Sequence, residues 1–179
     1  MGRFSNFFKK NQKQENVENT ESPKFPEPVA NDMFKTVPVD EIYMVSIPTD
    51  WQIYESDRFR TVNKDETIHF SISNYANDKV SSPLDKKALE EQILPLFENF
   101  VKEGGYIAHD DLEITNDYAY QAFNVDDETQ YYYYTSRIIK QKTLVVIAFI
   151  LKEKGDYQTT TSQLIKKIGS QIYHKVADL

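Results

Sequence analysis

The feature that most constrains the fold is the stretch from Gln130 to Lys152, which reads QYYYYTSRIIKQKTLVVIAFILK. Four consecutive tyrosines lead into a β-branched segment, a polar break follows at residues 140–142, and the most apolar segment of the chain comes next. Aromatic and β-branched residues on both sides of a short polar break are typical of two paired strands. We therefore predict a long β-hairpin whose second arm, Thr143–Leu151, is the central strand of the core. That arm is apolar on both alternating faces, which predicts that both faces of the sheet are covered.

Alternation of apolar and polar residues predicts further strands. Ile68, Phe70 and Ile72 alternate with polar residues, as expected for a strand with one face in the core. Pro48 ends the first predicted strand, because proline cannot donate a hydrogen bond to a neighbouring strand. Structure is expected to start near Glu41. The predicted strands are Ile42–Ile47, Arg58–Asn63, Thr67–Tyr75, Asp111–Thr115, Tyr118–Val125 and the two arms of the long hairpin.

Two later segments predict amphipathic helices. For the first, Ser82 is a suitable N-cap, Pro83 suits the first helical position, and Gly104-Gly105 ends the helix. Pro95 lies inside it and predicts either a kink or two shorter helices. Its apolar stripe consists of Ala88, Leu89, Ile93, Leu96, Phe97, Phe100 and Val101.

The second predicted helix follows the break at Gly155-Asp156. Gly169 lies inside it and costs about 1 kcal/mol relative to alanine, so we expect the helix to pack closely against the sheet there. Its apolar stripe consists of Leu164, Ile165, Ile168, Ile172 and Val176. The order of strands and helices predicts an α+β fold, with a mainly antiparallel sheet of about six or seven strands flanked by two main helices. The arrangement is either an αβα sandwich or a two-layer α+β domain.

Residues 1–30 differ from the rest of the chain, and the predicted domain spans residues 40–177. Phe4, Phe7 and Phe8 fall at helical spacing among four basic residues, with no acidic residue in the first 13. One interpretation is a short amphipathic anchor for a membrane surface or a partner groove. The other is a disordered or weakly helical tail, because one apolar turn followed by a polar tract does not order itself.

Composition excludes several chemistries. The chain has no cysteine, which excludes disulfides, zinc–thiolate sites and thiol catalysis. Its net charge of −7 argues against general nucleic-acid binding, which needs a clustered positive field. The histidines, His69, His109 and His174, lack the spacing of a metal site on one helix or strand, although a two-histidine site assembled in space stays open. We predict no catalytic residues, no metal and no cofactor.

The predicted location is the cytoplasm. The start of the chain has no apolar stretch of signal-peptide length. The longest apolar run, Leu144–Leu151, is too short to cross a bilayer as a helix. We expect no membrane contact except through the tail.

Acidic residues cluster at the predicted hairpin ends, with no basic residue between Ile107 and Gln130. A divalent-cation site and an acidic docking patch for a basic partner are the functional interpretations. Solvated loop tips are the alternative. The residues are Asp110, Asp111, Glu113, Asp117, Asp126, Asp127 and Glu128.

The tyrosines of the long hairpin and its neighbour are the strongest candidate site. Alternation sends half of the Tyr131–Tyr134 run to each face of the sheet, where cross-strand pairs stabilise it. If a helix covered only one face, the tyrosines of the other would form an exposed aromatic patch suited to partner binding. The candidate binding residues are Tyr118, Tyr120, Tyr131 and Tyr133.

The segment Val45-Ser46-Ile47-Pro48-Thr49-Asp50-Trp51 resembles the strand, Ile-Pro, turn and Trp pattern of the PsbP-like superfamily. That group includes the photosystem extrinsic protein PsbP, Ran-binding Mog-type proteins and small bacterial relatives, some of which are chaperones for type VI secretion effectors. The resemblance covers about residues 40–177 and implies a non-enzymatic domain that binds other proteins. It carries over no binding residue, and the structural interpretation of Pro48 and Trp51 is a strand stop and a core aromatic.

Three functions follow as hypotheses. The first is a cytoplasmic protein-binding domain, such as an adaptor or a secretion-effector-associated chaperone, whose partner is another protein. The second is a small-molecule-binding carrier or enzyme with a pocket between sheet and helix. The third is tethering through the phenylalanines of the tail.

Overall fold

The structure is a computed structural model that describes residues 33–39, 43–54, 58–77, 82–139 and 143–174. Ten strands and two helices are present in these ranges. The strands are β1 (Phe34–Pro38), β2 (Tyr43–Pro48), β3 (Gln52–Tyr54), β4 (Phe59–Val62), β5 (Ile68–Asn77), β6 (Ile107–Ile114), β7 (Tyr118–Val125), β8 (Glu128–Ile139), β9 (Thr143–Lys154) and β10 (Ile172–His174). The helices are α1 (Lys86–Gly104) and α2 (Thr159–Ser170).

The main sheet has seven strands in the order β3-β4-β5-β9-β8-β7-β6, and all of its neighbouring pairs are antiparallel. The predicted long hairpin is confirmed, since β8 and β9 pair along their whole length from Glu128↔Lys154 to Ile139↔Thr143. The predicted central strand is also confirmed, because β9 is the fourth of the seven. The α+β fold class follows from this sheet and the two helices.

Helix α1 covers one face of the main sheet. Leu89, Ile93 and Phe97 are buried and pack over Phe123 of β7 and Ala148 of β9. Their spacing of four residues places them on one side of the helix. Val101, four residues after Phe97 in the predicted stripe, is 45 % exposed.

The N-terminus of α1 lies three residues later than the sequence predicts. Asp85, not Ser82, is the N-cap, and its carboxylate accepts a hydrogen bond from the Ala88 backbone N–H at 2.8 Å. The preceding segment is tied to the sheet instead, because the Leu84 N–H donates to the Ser136 hydroxyl at 2.9 Å. A carboxylate at the N-cap satisfies one of the free N–H groups of the first turn.

The C-terminus of α1 agrees with the prediction. Gly105 adopts the left-handed conformation with φ 68°, and its N–H donates to the Phe100 carbonyl. This geometry favours glycine, which lacks a Cβ. Pro95 lies inside one continuous helix rather than between two shorter ones.

Helix α2 and a second, three-stranded antiparallel sheet with the order β1-β2-β10 cover the other face. Val45 and Ile47 of β2 and Ile165 and Ile168 of α2 are fully buried in the same cluster as Phe149 of β9. The molecule therefore has three layers, with the main sheet in the middle. This is the covering of both faces that the apolar character of β9 predicts.

Two elements of the small sheet differ from the sequence prediction. β1 (Phe34–Pro38) precedes Glu41, where structure was expected to start. The predicted final helix was wrong beyond Ser170, because Ile172–His174 forms β10. Ile172 pairs with Val45 and is buried, so tertiary pairing with β2 outweighs the helical spacing of the apolar residues.

Candidate functional site

The tyrosine run of β8 alternates between the two cores of the molecule. Tyr131 and Tyr133 lie in the cluster beneath α2, whereas Tyr132 and Tyr134 lie in the cluster beneath α1. Each of the four is 6 % exposed or less. The predicted division of the run between the two faces is thus present, and both halves are covered.

The condition for an exposed aromatic patch is therefore not met. Tyr120 is 2 % exposed, Tyr131 0 % and Tyr133 2 %, and only Tyr118 is half-buried. The interpretation of these residues as an exposed patch was wrong because α2 and the small sheet cover the second face. Their burial places three of the four in the core rather than on a binding surface.

The hydroxyls of these tyrosines attach α2 to the sheet. Tyr120 donates to the Ser162 hydroxyl at 2.6 Å, and Tyr131 donates to the Glu153 carboxylate at 3.0 Å. The Gln158 N–H, just before α2, donates to the Tyr131 hydroxyl at 2.9 Å. Burial raises the pKa of Tyr120 and Tyr131 above their ordinary value. The neutral phenols therefore act as hydrogen-bonding groups that position the helix.

The acidic residues do not converge on one point. Asp117 precedes β7 and Asp126-Asp127 follows it, so these turns lie at opposite ends of an eight-residue strand, a separation of roughly 24 Å. Within the described residues, no three His, Asp or Glu side chains are grouped so that they could hold a metal ion. Asp126 has φ 54°, a conformation that aspartate tolerates in a tight turn.

The histidines are placed separately. His69 is exposed on β5, and His109 on β6 stacks on Tyr157 with ring centroids 4.2 Å apart. His174 belongs to β10, beyond the end of α2. Phe4, Phe7 and Phe8 lie outside the described residues.

A cleft of about 590 Å³ opens between the sheet and the C-terminal half of α2, and we call it the Arg137 cleft. Arg137 follows the tyrosine run on β8, and Lys166, Lys167 and Ser170 line the cleft from α2. The Tyr118 and Tyr133 rings form an aromatic wall, stacked with centroids 4.9 Å apart and planes at 20°. The lining residues are Asp117, Tyr118, Tyr133, Arg137, Lys166, Lys167 and Ser170.

Arg137 is the unusual charge of this cleft. Its Nη1 donates to the Thr135 hydroxyl at 2.6 Å and the Ser136 carbonyl at 2.8 Å. Across the described ranges, Arg137 forms no ion pair with a carboxylate. Burial lowers the pKa of Arg137 below its ordinary value, an effect that the Asp117 charge partly opposes. A partly buried guanidinium without a carboxylate partner retains most of its desolvation cost.

The two lysines of the cleft differ in their surroundings. Lys166 contacts the Glu113 carboxylate, and its Nζ lies 4.3 Å from the centroid of the Tyr120 ring. Lys167 lies over the Phe34 ring at 4.1 Å, which is a cation–π distance. Glu113 also accepts a hydrogen bond from Tyr118, and burial together with this bond raises the pKa of Tyr118 to about 12.

A smaller, apolar groove of about 270 Å³ lies on the opposite face of the main sheet, and we call it the α1–β6 groove. Leu94 and Val101 on α1 are 39 % and 45 % exposed there. Lys102 and Glu98 pair with each other at 3.4 Å on its rim. The lining residues are Leu94, Phe97, Glu98, Val101, Lys102, Ala108, Leu112, Gln121 and Phe123.

Sequence reasoning singled out neither Arg137 nor the two lysines of α2. The available signal was a lone charge in a strand whose neighbours are aromatic or β-branched, because a charge in such a position needs a partner. The exposed side of α1 carried a weaker signal, since Leu94 stands outside the predicted apolar stripe.

Comparisons with known proteins place the chain in no family. No protein-family model matches the sequence, and no curated protein matches it. A crystal structure of a protein from Bacteroides thetaiotaomicron VPI-5482 is similar at 15 % identity, with a TM-score of 0.40 over 75 % of this chain. The match covers 45 % of that protein, so the chain spans less than half of its length. Neither described helix combines the length and apolar character needed to cross a membrane.

Proposed function

We propose that this chain is a cytoplasmic, non-enzymatic protein-binding domain of the PsbP-like type, acting as an adaptor or an effector-associated chaperone. The resemblance around Pro48 and Trp51 supports the class, and in the structure Pro48 ends β2 while Trp51 is buried. The observation that carries the binding role is the α1–β6 groove, where apolar side chains stay exposed beside a sheet edge. A partner segment seated in this groove would bury these apolar side chains.

The occupant proposed for the groove is an apolar segment flanked by basic residues. Leu94 and Val101 offer apolar contacts, and Ala108 and Leu112 continue the groove on β6. Asp110 and Asp111 lie between those two β6 residues and are exposed. The Asp110 side chain hydrogen-bonds Tyr157, which packs on the α2 side of the sheet. Because Glu98 and Lys102 neutralise each other, Asp111 next to Leu112 is the acid that favours basic flanks on the partner.

The partner segment is expected to lie in the groove rather than to extend the sheet. β6 is an edge strand, but its register with β7 shifts between His109 and Glu113. Asp110, inside this irregularity, has φ 59°, and its carbonyl accepts a hydrogen bond from the Gln121 side chain at 2.9 Å. A bulge of this kind interrupts the row of backbone groups that an added strand would need.

Replacing Leu94 and Val101 together with glutamate is expected to weaken partner binding at least tenfold. Two carboxylates would be desolvated against an apolar segment, and truncating or charging a central contact commonly costs more than 1 kcal/mol. Affinity capture from the native cell with quantitative mass spectrometry would identify the partner, and calorimetry with the purified partner would measure the loss.

The matched control is Ile53→Glu. Ile53 is 48 % exposed on β3, at the other edge of the same sheet, so its substitution adds a charge to an exposed apolar site away from the groove. Partner retention should equal that of the wild type in this variant. If the Leu94→Glu, Val101→Glu variant retains the partner as well as the wild type does, the groove is not the binding site. A partner segment without basic residues would contradict the proposed charge complementarity.

The alternative proposal is a small-molecule-binding carrier or enzyme with a pocket between sheet and helix. The Arg137 cleft favours it, because it lies between β8 and α2. Its volume falls within the roughly 300–1,000 Å³ of small-molecule sites.

A further inference from the structure

We infer that the Arg137 cleft is a binding site for a small organic oxyanion, a carboxylate or a phosphate ester, held by Arg137 and Lys167 beside the Tyr118–Tyr133 wall. This inference names a ligand class for the alternative function proposed above. It is independent of the α1–β6 groove, which lies on the other face of the main sheet.

Charge is the first reason. Three cations, Arg137, Lys166 and Lys167, line the cleft against one acid, Asp117. Glu113 pairs with Lys166, so Arg137 and Lys167 exceed the remaining acid by one charge. This local excess stands out in a chain whose net charge is −7.

The geometry of Arg137 is the second reason. A guanidinium carries five N–H donors in a planar fork that matches the two oxygens of a carboxylate or phosphate. The hydrogen bonds from Nη1 to Thr135 and Ser136 fix the plane of the group and leave donors on its other nitrogens. A bound oxyanion would supply the ion-pair partner that Arg137 lacks among the described residues.

The wall of the cleft indicates an organic anion rather than a bare ion. Tyr118, half-buried and stacked on the buried Tyr133 ring, presents aromatic surface beside the cations. The volume of about 590 Å³ is far larger than an inorganic ion occupies. A ligand with one anionic end and an apolar or aromatic body would use both features.

Lys167 alone would not carry this inference. Lysines near a helix C-terminus have an ordinary explanation, since they interact favourably with the negative end of the helix dipole. Arg137 lies on a strand, and no helix terminus accounts for it.

Calorimetric titration of the full chain at constant ionic strength tests the inference, with inorganic phosphate in one arm and phenylacetate in the other. We expect saturable binding in at least one arm. Binding in the phosphate arm alone indicates a phosphate ester, and binding in the phenylacetate arm alone indicates a carboxylate. The Arg137→Gln variant should bind at least tenfold more weakly. Lys64→Gln, in the exposed turn between β4 and β5, should bind as the wild type does.

Lys167→Gln keeps the test decisive if Arg137→Gln is poorly folded. Lys167 is exposed, so its variant is expected to fold normally and to bind several-fold more weakly. Two results would overturn the inference. One is the absence of saturable binding in either arm at ligand concentrations up to about 20 mM, well above a millimolar dissociation constant. The other is binding whose affinity Arg137→Gln and Lys167→Gln leave unchanged. If neutral metabolites stabilise the protein and oxyanions do not, the cleft is a small-molecule site whose ligand is not an oxyanion, which contradicts this inference.

Discussion

Replacing Gly169 with alanine is expected to lower the free energy of unfolding by about 2–3 kcal/mol. A Cβ at this position of α2 would lie 2.5 Å from Cδ1 and 2.9 Å from Cζ of the Tyr133 ring. The ring is 2 % exposed and packs against Tyr118 and Phe149, so it has no room to move away. Helix propensity alone would predict the opposite sign, a gain of up to about 1 kcal/mol.

Urea denaturation of the wild type and the variant measures this loss. Gly104→Ala is the matched control, because Gly104 lies in the last turn of α1 as Gly169 does in α2, and its added Cβ would meet the half-buried Tyr106 ring at 3.0 Å. That ring has solvent on one side and can shift, so we expect a change within about 0.5 kcal/mol. A Gly169→Ala variant as stable as the wild type would show that α2 does not approach β8 as closely as described.

Raising the pH above 10 is expected to destabilise the protein steeply. Burial raises the pKa of Tyr120 and of all four tyrosines of the β8 run above the ordinary value of 10. Above pH 10 the unfolded chain loses these protons while the folded chain keeps them. The stabilisation is therefore complete below pH 10, and each such tyrosine removes about 1.4 kcal/mol per further pH unit. Together, the five tyrosines would remove a free energy of unfolding comparable to the whole stability of a typical domain within one or two pH units.

Urea midpoints at pH 8, 9, 10, 10.5 and 11 measure this dependence, and absorbance at 295 nm reports tyrosine ionisation. We expect ionisation of the buried set to coincide with the loss of circular dichroism. Tyr134→Phe is the informative variant, because it removes one buried phenol and should reduce the slope above pH 10 by about 1.4 kcal/mol per unit. A stability curve that stays flat to pH 11 would contradict the burial of the β8 run.

Much of the fold could be predicted from local pattern. The hairpin of β8 and β9 carries its own signals, with apolar residues on both faces and a polar break between the arms. The close approach at Gly169 was also predictable, because a glycine in a helix interior needs a packing reason. These features depend on residues adjacent in sequence, for which periodicity and turn chemistry are informative.

The small sheet could not be predicted in the same way. β1 contains only one buried residue, Val37, and contains Pro38 as well, so its sequence lacks a strand signal. β10 consists of three residues whose apolar spacing also suits a helix. Both strands exist because they pair with β2. β1 is adjacent to β2 in the chain but has no strand pattern of its own, and the β10 pairing joins residues too distant in sequence to leave a local pattern.

The candidate sites depend on this same tertiary arrangement. Whether Tyr131 and Tyr133 are exposed depends on where α2 and the small sheet lie. The apolar faces of β9 predict that both faces of the sheet are covered, but not how far the cover extends over β8. Arg137 and Lys167 become neighbours only when α2 crosses β8. The two proposed surfaces, the Arg137 cleft and the α1–β6 groove, consequently involve residues that several elements bring together.

Whether β8 is covered on both faces is tested most directly by nitration with tetranitromethane, followed by peptide mass spectrometry. In the folded protein we expect modification of Tyr54, which is 46 % exposed, and none at Tyr131–Tyr134. After unfolding in urea, all four should react, which shows that their sequence context is not the cause of protection. Nitration of Tyr131 or Tyr133 in the folded protein at a rate near that of Tyr54 would contradict the covering of the second face by α2.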